Sequence, residues 1–201
     1  PEYDPADLDG DHPLYIPRIT TRKEYRIKRI VNGREVEVIE KDMPAYDVTF
    51  PFIRGMAGYV DFTPGGMRNA TSADFQPVYN NPMTMGTRCH QLAHYIVHDS
   101  PLTMLADNQT IYRQEQECTD FITSLPTVYD EMEVLDGKMG EYIVTARKKG
   151  ANWYVAGETN WDERDITLDC QFLPAGTYDI TLFMDGVNAN KNACDYRVVR
   201  S

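Results

Sequence analysis

Asp47-Val48-Thr49-Phe50-Pro51-Phe52-Ile53 is the stretch on which the reading of the fold turns. It is a nearly continuous apolar run, the pattern of a strand covered on both faces, as in a parallel barrel. Pro51 has no amide for a ladder, so in a strand it calls for a bulge or a strand end. The run leads into Arg54-Gly55-Met56-Ala57-Gly58-Tyr59-Val60-Asp61-Phe62-Thr63-Pro64-Gly65-Gly66, a glycine-rich loop of the kind that carries function at strand ends. The expectation is a barrel stave at 48–53 whose exit loop faces a ligand.

Downstream, residues 71–86 hold Asn, Pro and Ser with little period and read as a long loop. Thr87 opens a helix, where Cys89, Leu92, Tyr95 and Ile96 give an apolar stripe at three- and four-residue spacing. Ser100-Pro101 ends it. Leu102 to Ala106 and Glu115 to Ser124 are read as two further helical stretches. From Pro126 the texture changes to short strands (Val128-Tyr129, Val134-Leu135, Tyr142–Thr145, Trp153–Val155, Ile166–Leu168, Tyr178–Leu182) separated by Asp136-Gly137, Lys149–Asn152, Pro174–Gly176 and Asp185-Gly186. That regular spacing indicates an antiparallel sandwich.

Upstream, residues 1–20 are rich in Asp and Pro and read as irregular loop. Asn32-Gly33 accepts the positive φ angles of a type I′ turn, so the flanking apolar alternation reads as a hairpin. The chain thus divides into 1–43 (loop plus hairpin), 44–125 (the end of a barrel) and 126–201 (a β-sandwich). The fold class is an α+β fragment: the last strand and helices of a (β/α)8 barrel followed by an antiparallel sandwich.

The 201 residues carry 20 Lys and Arg against 31 Asp and Glu, a net charge of −11. A polyanion or an anionic membrane surface would be repelled, so neither nucleic acid nor membrane is an expected partner. No run approaches the roughly 18 apolar residues of a membrane span. The chain begins at Pro1 with no signal peptide, and the reading favoured is a fragment of a longer protein. Four cysteines without a C-x-x-C pair read as free thiols, with a Cys170–Cys194 bridge left open for an oxidising compartment.

His90, His94 and His98 recur every four residues, which puts them on one helical face. Such a pair can hold a metal, yet no Glu follows His90 as in H-E-x-x-H and no third ligand has a defined position. Packing and capping are the expected roles, and no metal ligand is assigned. Asn69-Ala70-Thr71 and Asn108-Gln109-Thr110 match the glycosylation pattern at the frequency chance allows.

The ordered succession of Phe50 to Asn69, Gly86-Thr87-Arg88-Cys89-His90-Gln91-Leu92-Ala93, Ser100-Pro101-Leu102 and Pro126 to Glu131 resembles glycoside hydrolase family 97. So do Asp136 to Tyr142, Trp153-Tyr154-Val155 and Asp185-Gly186-Val187-Asn188-Ala189 in the tail. The resemblance spans about residues 44–201. It implies the C-terminal part of a periplasmic enzyme with an N-terminal sandwich, a (β/α)8 barrel and a C-terminal β-domain. That enzyme cleaves terminal α-linked glucose or galactose from oligosaccharides.

The resemblance also implies an active-site calcium held by glutamates, with ligands outside this chain, and a glutamate acid upstream. Glu2 is the one candidate remnant of that acidic motif. The remainder of the parent enzyme is then a partner, and the fragment alone is expected to be inactive. Barrel geometry places sites at the C-terminal ends of strands, so Arg54, Asp61 and Thr63 are the candidate substrate-binding residues. The alternative for Arg54 and Asp61 is a mutual pair that shapes the loop. A second functional reading is a non-catalytic carbohydrate-binding or interaction module, with Trp153, Tyr154 or Trp161 stacking on sugar.

Overall fold

The computed structural model describes residues 24–31, 34–41, 43–76 and 78–201. The loop expected at 1–20, with Glu2, and the Asn32-Gly33 turn lie outside the described residues. The chain divides into two units, Pro1–Lys41 and Asp42–Ser201.

In the first unit β1 (Glu24–Val31) pairs antiparallel with β2 (Arg34–Lys41), and Val31 opposite Arg34 closes the register. The antiparallel pairing is the one the apolar alternation on either side of residues 32–33 predicts.

The second unit begins with a correction. Residues 48–53 are not a strand. α1 (Met43–Asp47) runs through a turn into α2 (Phe50–Ile53), with a single 3-10 turn at Gly55–Ala57 behind it. The same Pro51 that sat badly in a strand lies in the first turn of α2, where a missing amide costs nothing. No described strand lies beside this segment to accept a ladder. Its backbone groups bond locally instead: Val48 N–H to Pro44 O, Thr49 N–H to Tyr46 O and Arg54 N–H to Phe50 O.

Two short strands, β3 (Asn69–Ala70) and β4 (Thr84–Met85), pair in parallel across the expected loop. α3 (Arg88–Val97) starts where the sequence places it. Thr87 is its N-cap and accepts from the His90 amide at 3.1 Å. The helical stretch expected at 102–106 is irregular. Helix resumes at α4 (Gln109–Gln114), because Asn108 Oδ1 accepts from the Thr110 and Ile111 amides. α5 (Gln116–Ser124) follows.

β5 (Glu131–Lys138), β6 (Tyr142–Lys149) and β7 (Asn152–Thr159) form an antiparallel meander. β8 (Thr181–Asp185) and β9 (Tyr196–Arg200) form a separate pair. Neither Val128-Tyr129 nor Ile166–Leu168 is a strand, and β9 was not anticipated. A helix, not a second sheet, covers one face of the meander: Ala93, Ile96 and Val97 of α3 pack with Ile143 and Ala156, flanked by Phe52, Phe121 and Tyr154. A second cluster joins Leu92 and Tyr95 to Met67, Tyr112, Cys118 and Ile122. α3 is thus the central element, and its sheet-facing side decides what is buried. All four cysteines are free, with Cys170 exposed. No helix of the described residues is long and apolar enough to cross a membrane.

Candidate functional site

The three histidines of the i, i+4 series end up buried, with His94 1% exposed. Each meets a carboxylate that sequence spacing alone did not supply. Asp47 comes from the end of α1 and Glu158 from β7, and both are buried. Glu158 faces inward because it follows Ala156 by two residues on one pleated face, while Val155 and Gly157 point out. That alternation was readable in the sequence. The position of Asp47 was not, since it depends on α1 folding against α3.

His94 lies between the two acids. Its Nδ1 donates to Glu158 Oε1 at 2.8 Å, and its Nε2 is 3.5 Å from Asp47 Oδ2. An ionised carboxylate only accepts, so His90 carries a proton on Nε2 and donates it to Asp47 Oδ2 at 3.2 Å. His98 Nε2 is 3.6 Å from Glu158 Oε2, too far for a hydrogen bond. Asp47 Oδ1, Glu158 Oε2 and both ring nitrogens of His98 have no hydrogen-bond partner.

Burial alone would neutralise these groups, and the outcome depends on who faces whom. Burial pushes the Asp47 carboxyl up, but the charge of His94 and the hydrogen bonds from His90 and His94 outweigh it and hold it at about 2. Burial likewise favours a protonated Glu158, yet His94 and His98 keep it well below the usual carboxylate range. For His94, burial opposes the charge while Glu158 and Asp47 raise it to about 10. His98 goes the other way, because burial dominates and lowers it. His94 is therefore an imidazolium between two carboxylates, and His98 is neutral.

Phe62 stacks flat on His98 at 4.2 Å between ring centroids and meets His94 edge-on at 5.0 Å. Phe62 lies between Asp61 and Thr63, so the ladder anchors the glycine-rich loop. The loop is also tied by Val60 N–H to Asp99 O at 3.0 Å. Gln91 Oε1 accepts from the Gly65 and Gly66 amides. Arg54, Asp61 and Thr63 are all exposed on this loop, and the structure gives no ion pair between Arg54 and Asp61 among the described residues. A cavity of about 250 Å³ lies beside the C-terminal end of α3, lined by Tyr95, His98, Leu105, Ile122, Leu125 and Tyr129 among others.

Among the described residues, two groups bring ligand atoms within 4.8 Å of one another: Asp47 with His90 and His94, and His94 with His98 and Glu158. Neither suits calcium, which takes six to eight oxygens. The sheet's aromatics are engaged: Trp153 packs on Phe172 at 5.0 Å under the Lys148 ammonium, and Tyr154 packs on Tyr129 at 5.6 Å.

Residues 128–201 match the family model described as "Glycosyl-hydrolase 97 C-terminal, oligomerisation". The chain is 54% identical over 156 residues to a retaining alpha-galactosidase of Bacteroides thetaiotaomicron, covering 78% of this chain and 24% of that protein. A probable retaining alpha-galactosidase of Streptomyces bingchenggensis is 27% identical over the same length, covering 78% of this chain and 22% of that protein. The chain thus spans about a quarter of the length of the curated relatives it matches. Among solved structures, a family 97 enzyme of Pseudoalteromonas sp., in complexes with panose and with acarbose, superposes with a TM-score of 0.67. It is 28% identical and matches 79% of this chain and 25% of its own. The chain resembles the C-terminal portion of glycoside hydrolase family 97 enzymes, and residues 128–201 carry the match to that family's C-terminal domain.

Proposed function

We propose that this chain is part of a retaining α-galactosidase that releases terminal α-linked galactose from oligosaccharides, with α-linked glucose as the alternative substrate. The observation that carries the reading is the 54% identity to the Bacteroides retaining alpha-galactosidase over 156 residues. A retaining hydrolysis needs two carboxyl groups about 5–5.5 Å apart, one acting as nucleophile and one as acid and base. The ladder's carboxylates are bound to histidines inside the protein, so the catalytic pair and the calcium belong to segments outside this chain. By itself the chain is inactive.

Its contribution is a wall of the sugar site formed by Arg54, Asp61 and Thr63. Their exposure on a loop that Phe62 pins to the ladder supports this, in place of the strand end lost with the helix at Phe50–Ile53. The periplasm is the compartment the family resemblance implies. A carbohydrate-binding module is the weaker reading, because Trp153 and Tyr154 are packed rather than presented as a stacking platform.

The test compares the chain with the full parent enzyme on p-nitrophenyl α-galactoside and α-glucoside, following the anomer released by NMR. The parent is expected to prefer the galactoside and release the α-anomer, and the chain to show no turnover. In the parent, Asp61→Ala should raise KM more than it lowers kcat. Turnover by the chain alone, or release of the β-anomer by the parent, would overturn the reading.

A further inference from the structure

We infer that His94, His98 and Glu158 form a binding site for a divalent transition metal ion of the zinc class, which clamps α3 to β7. Three of the four unpartnered atoms of the ladder lie on this side: Glu158 Oε2 and the two ring nitrogens of His98. Leaving a buried carboxylate oxygen and an imidazole without partners is costly, and such gaps in a native interior call for an explanation. Two ligands on one zinc ion, each about 2.0–2.1 Å from it, stand about 3.4 Å apart in tetrahedral geometry. The observed spacings, 2.8 Å from His94 Nδ1 to Glu158 Oε1 and 3.6 Å from His98 Nε2 to Glu158 Oε2, bracket that value.

The surroundings have the form that metal sites use. The ion displaces the Nδ1 proton of His94, which leaves to solvent, and takes its place between Nδ1 and Glu158. The remaining Nε2–H then points at Asp47 Oδ2, 3.5 Å away, and Asp47 is itself held by His90. A carboxylate behind a ligating histidine fixes the ring and strengthens its donor nitrogen. Two imidazoles and one carboxylate suit zinc, cobalt or nickel and not calcium or magnesium. His98 also lines the cavity at the end of α3, which gives the ion a way in from solvent. The other triad, Asp47 with His90 and His94, is the poorer site. Each triad has one internal hydrogen bond, but among the described residues this one leaves a single atom open, Asp47 Oδ1, against Glu158 Oε2 and both ring nitrogens of His98 in the first.

The experiment uses the 201-residue chain, stripped with chelator and titrated with zinc chloride and with cobalt chloride. One equivalent should bind, with a rise in Tm, and cobalt should give the strong visible bands of a four-coordinate site. His98→Ala and Glu158→Gln should each abolish stoichiometric binding. Asp47→Asn should weaken it about 10- to 100-fold, the usual loss when a carboxylate behind a ligand is removed. His90→Ala should still bind one equivalent. Absence of stoichiometric binding to the wild-type chain would overturn the proposal whatever the variants do. So would unchanged binding by folded His98→Ala protein, or loss of binding in folded His90→Ala with retention in His98→Ala.

Discussion

At the scale of the residue, His94 holds the structure's most consequential charge. Two buried acids share it, so removing the ring leaves both without their main partner. Breaking a buried pair in this way costs about 3–5 kcal/mol. His94→Ala is expected to lower stability by that amount in urea unfolding, and a change under about 1 kcal/mol would show that the ladder is neutral. The pH dependence follows from the shifts. Asp47, at about 2 when folded against 3.8 ordinarily, stabilises fully above 3.8, and that stability is lost as pH falls toward 2. His94, raised from 6.5 to about 10, stabilises fully below 6.5, and its share is lost as pH climbs through 10. His98 is lowered, so its burial costs more below 6.5 and tempers the acid side. With chelator present, the gap between wild type and His94→Ala should be widest between about pH 4 and 6.5 and should shrink by pH 10. A gap that grows toward pH 10 would mean that His94 is neutral in the fold.

At the scale of the element, α3 carries the argument. Its N-cap, its apolar stripe and its histidine face were all legible, because each follows from the 3.6-residue period and one capping residue. Thr87→Ala removes the acceptor for the His90 amide and should cost about 1 kcal/mol. His90 also holds Asp47, so fraying at this end should reach the ladder, and amide exchange at His90 and Gln91 should quicken together. Unchanged exchange would show the cap to be redundant. The element at 48–53 was misread for a physical reason. A short apolar run fits a buried strand and a buried helical turn equally well, and only Pro51 argued between them. Its fit to the first turn of a helix was the stronger signal.

At the scale of the whole molecule, large apolar side chains stand open to solvent in several segments. Met56 is 81% exposed and Leu102 is 77% exposed, with Tyr59, Tyr79, Met104 and Leu105 also open to solvent, all between α2 and α4. Val187, 87% exposed, stands open in the C-terminal part as well. Under the proposed function, the remainder of the parent enzyme would cover part of this apolar surface. The chain alone should therefore enhance the fluorescence of a hydrophobic dye such as ANS, and co-expression with the preceding segments should abolish the enhancement. A dye-silent, monomeric chain would remove the need for that partner.

What the sequence determined by itself is whatever depends on neighbours a few residues away. The pairing of β1 with β2, the cap and stripe of α3, the strands β5 to β7 and the family resemblance all belong there. Tertiary structure alone decided the site. Asp47, His94 and Glu158 are separated by 47 and 64 residues of chain, and no periodicity links an acid at the end of α1 to one on β7. They meet because α3 lies on the meander and α1 folds against α3. Burial takes these side chains out of bulk solvent, so their mutual geometry decides which stay charged.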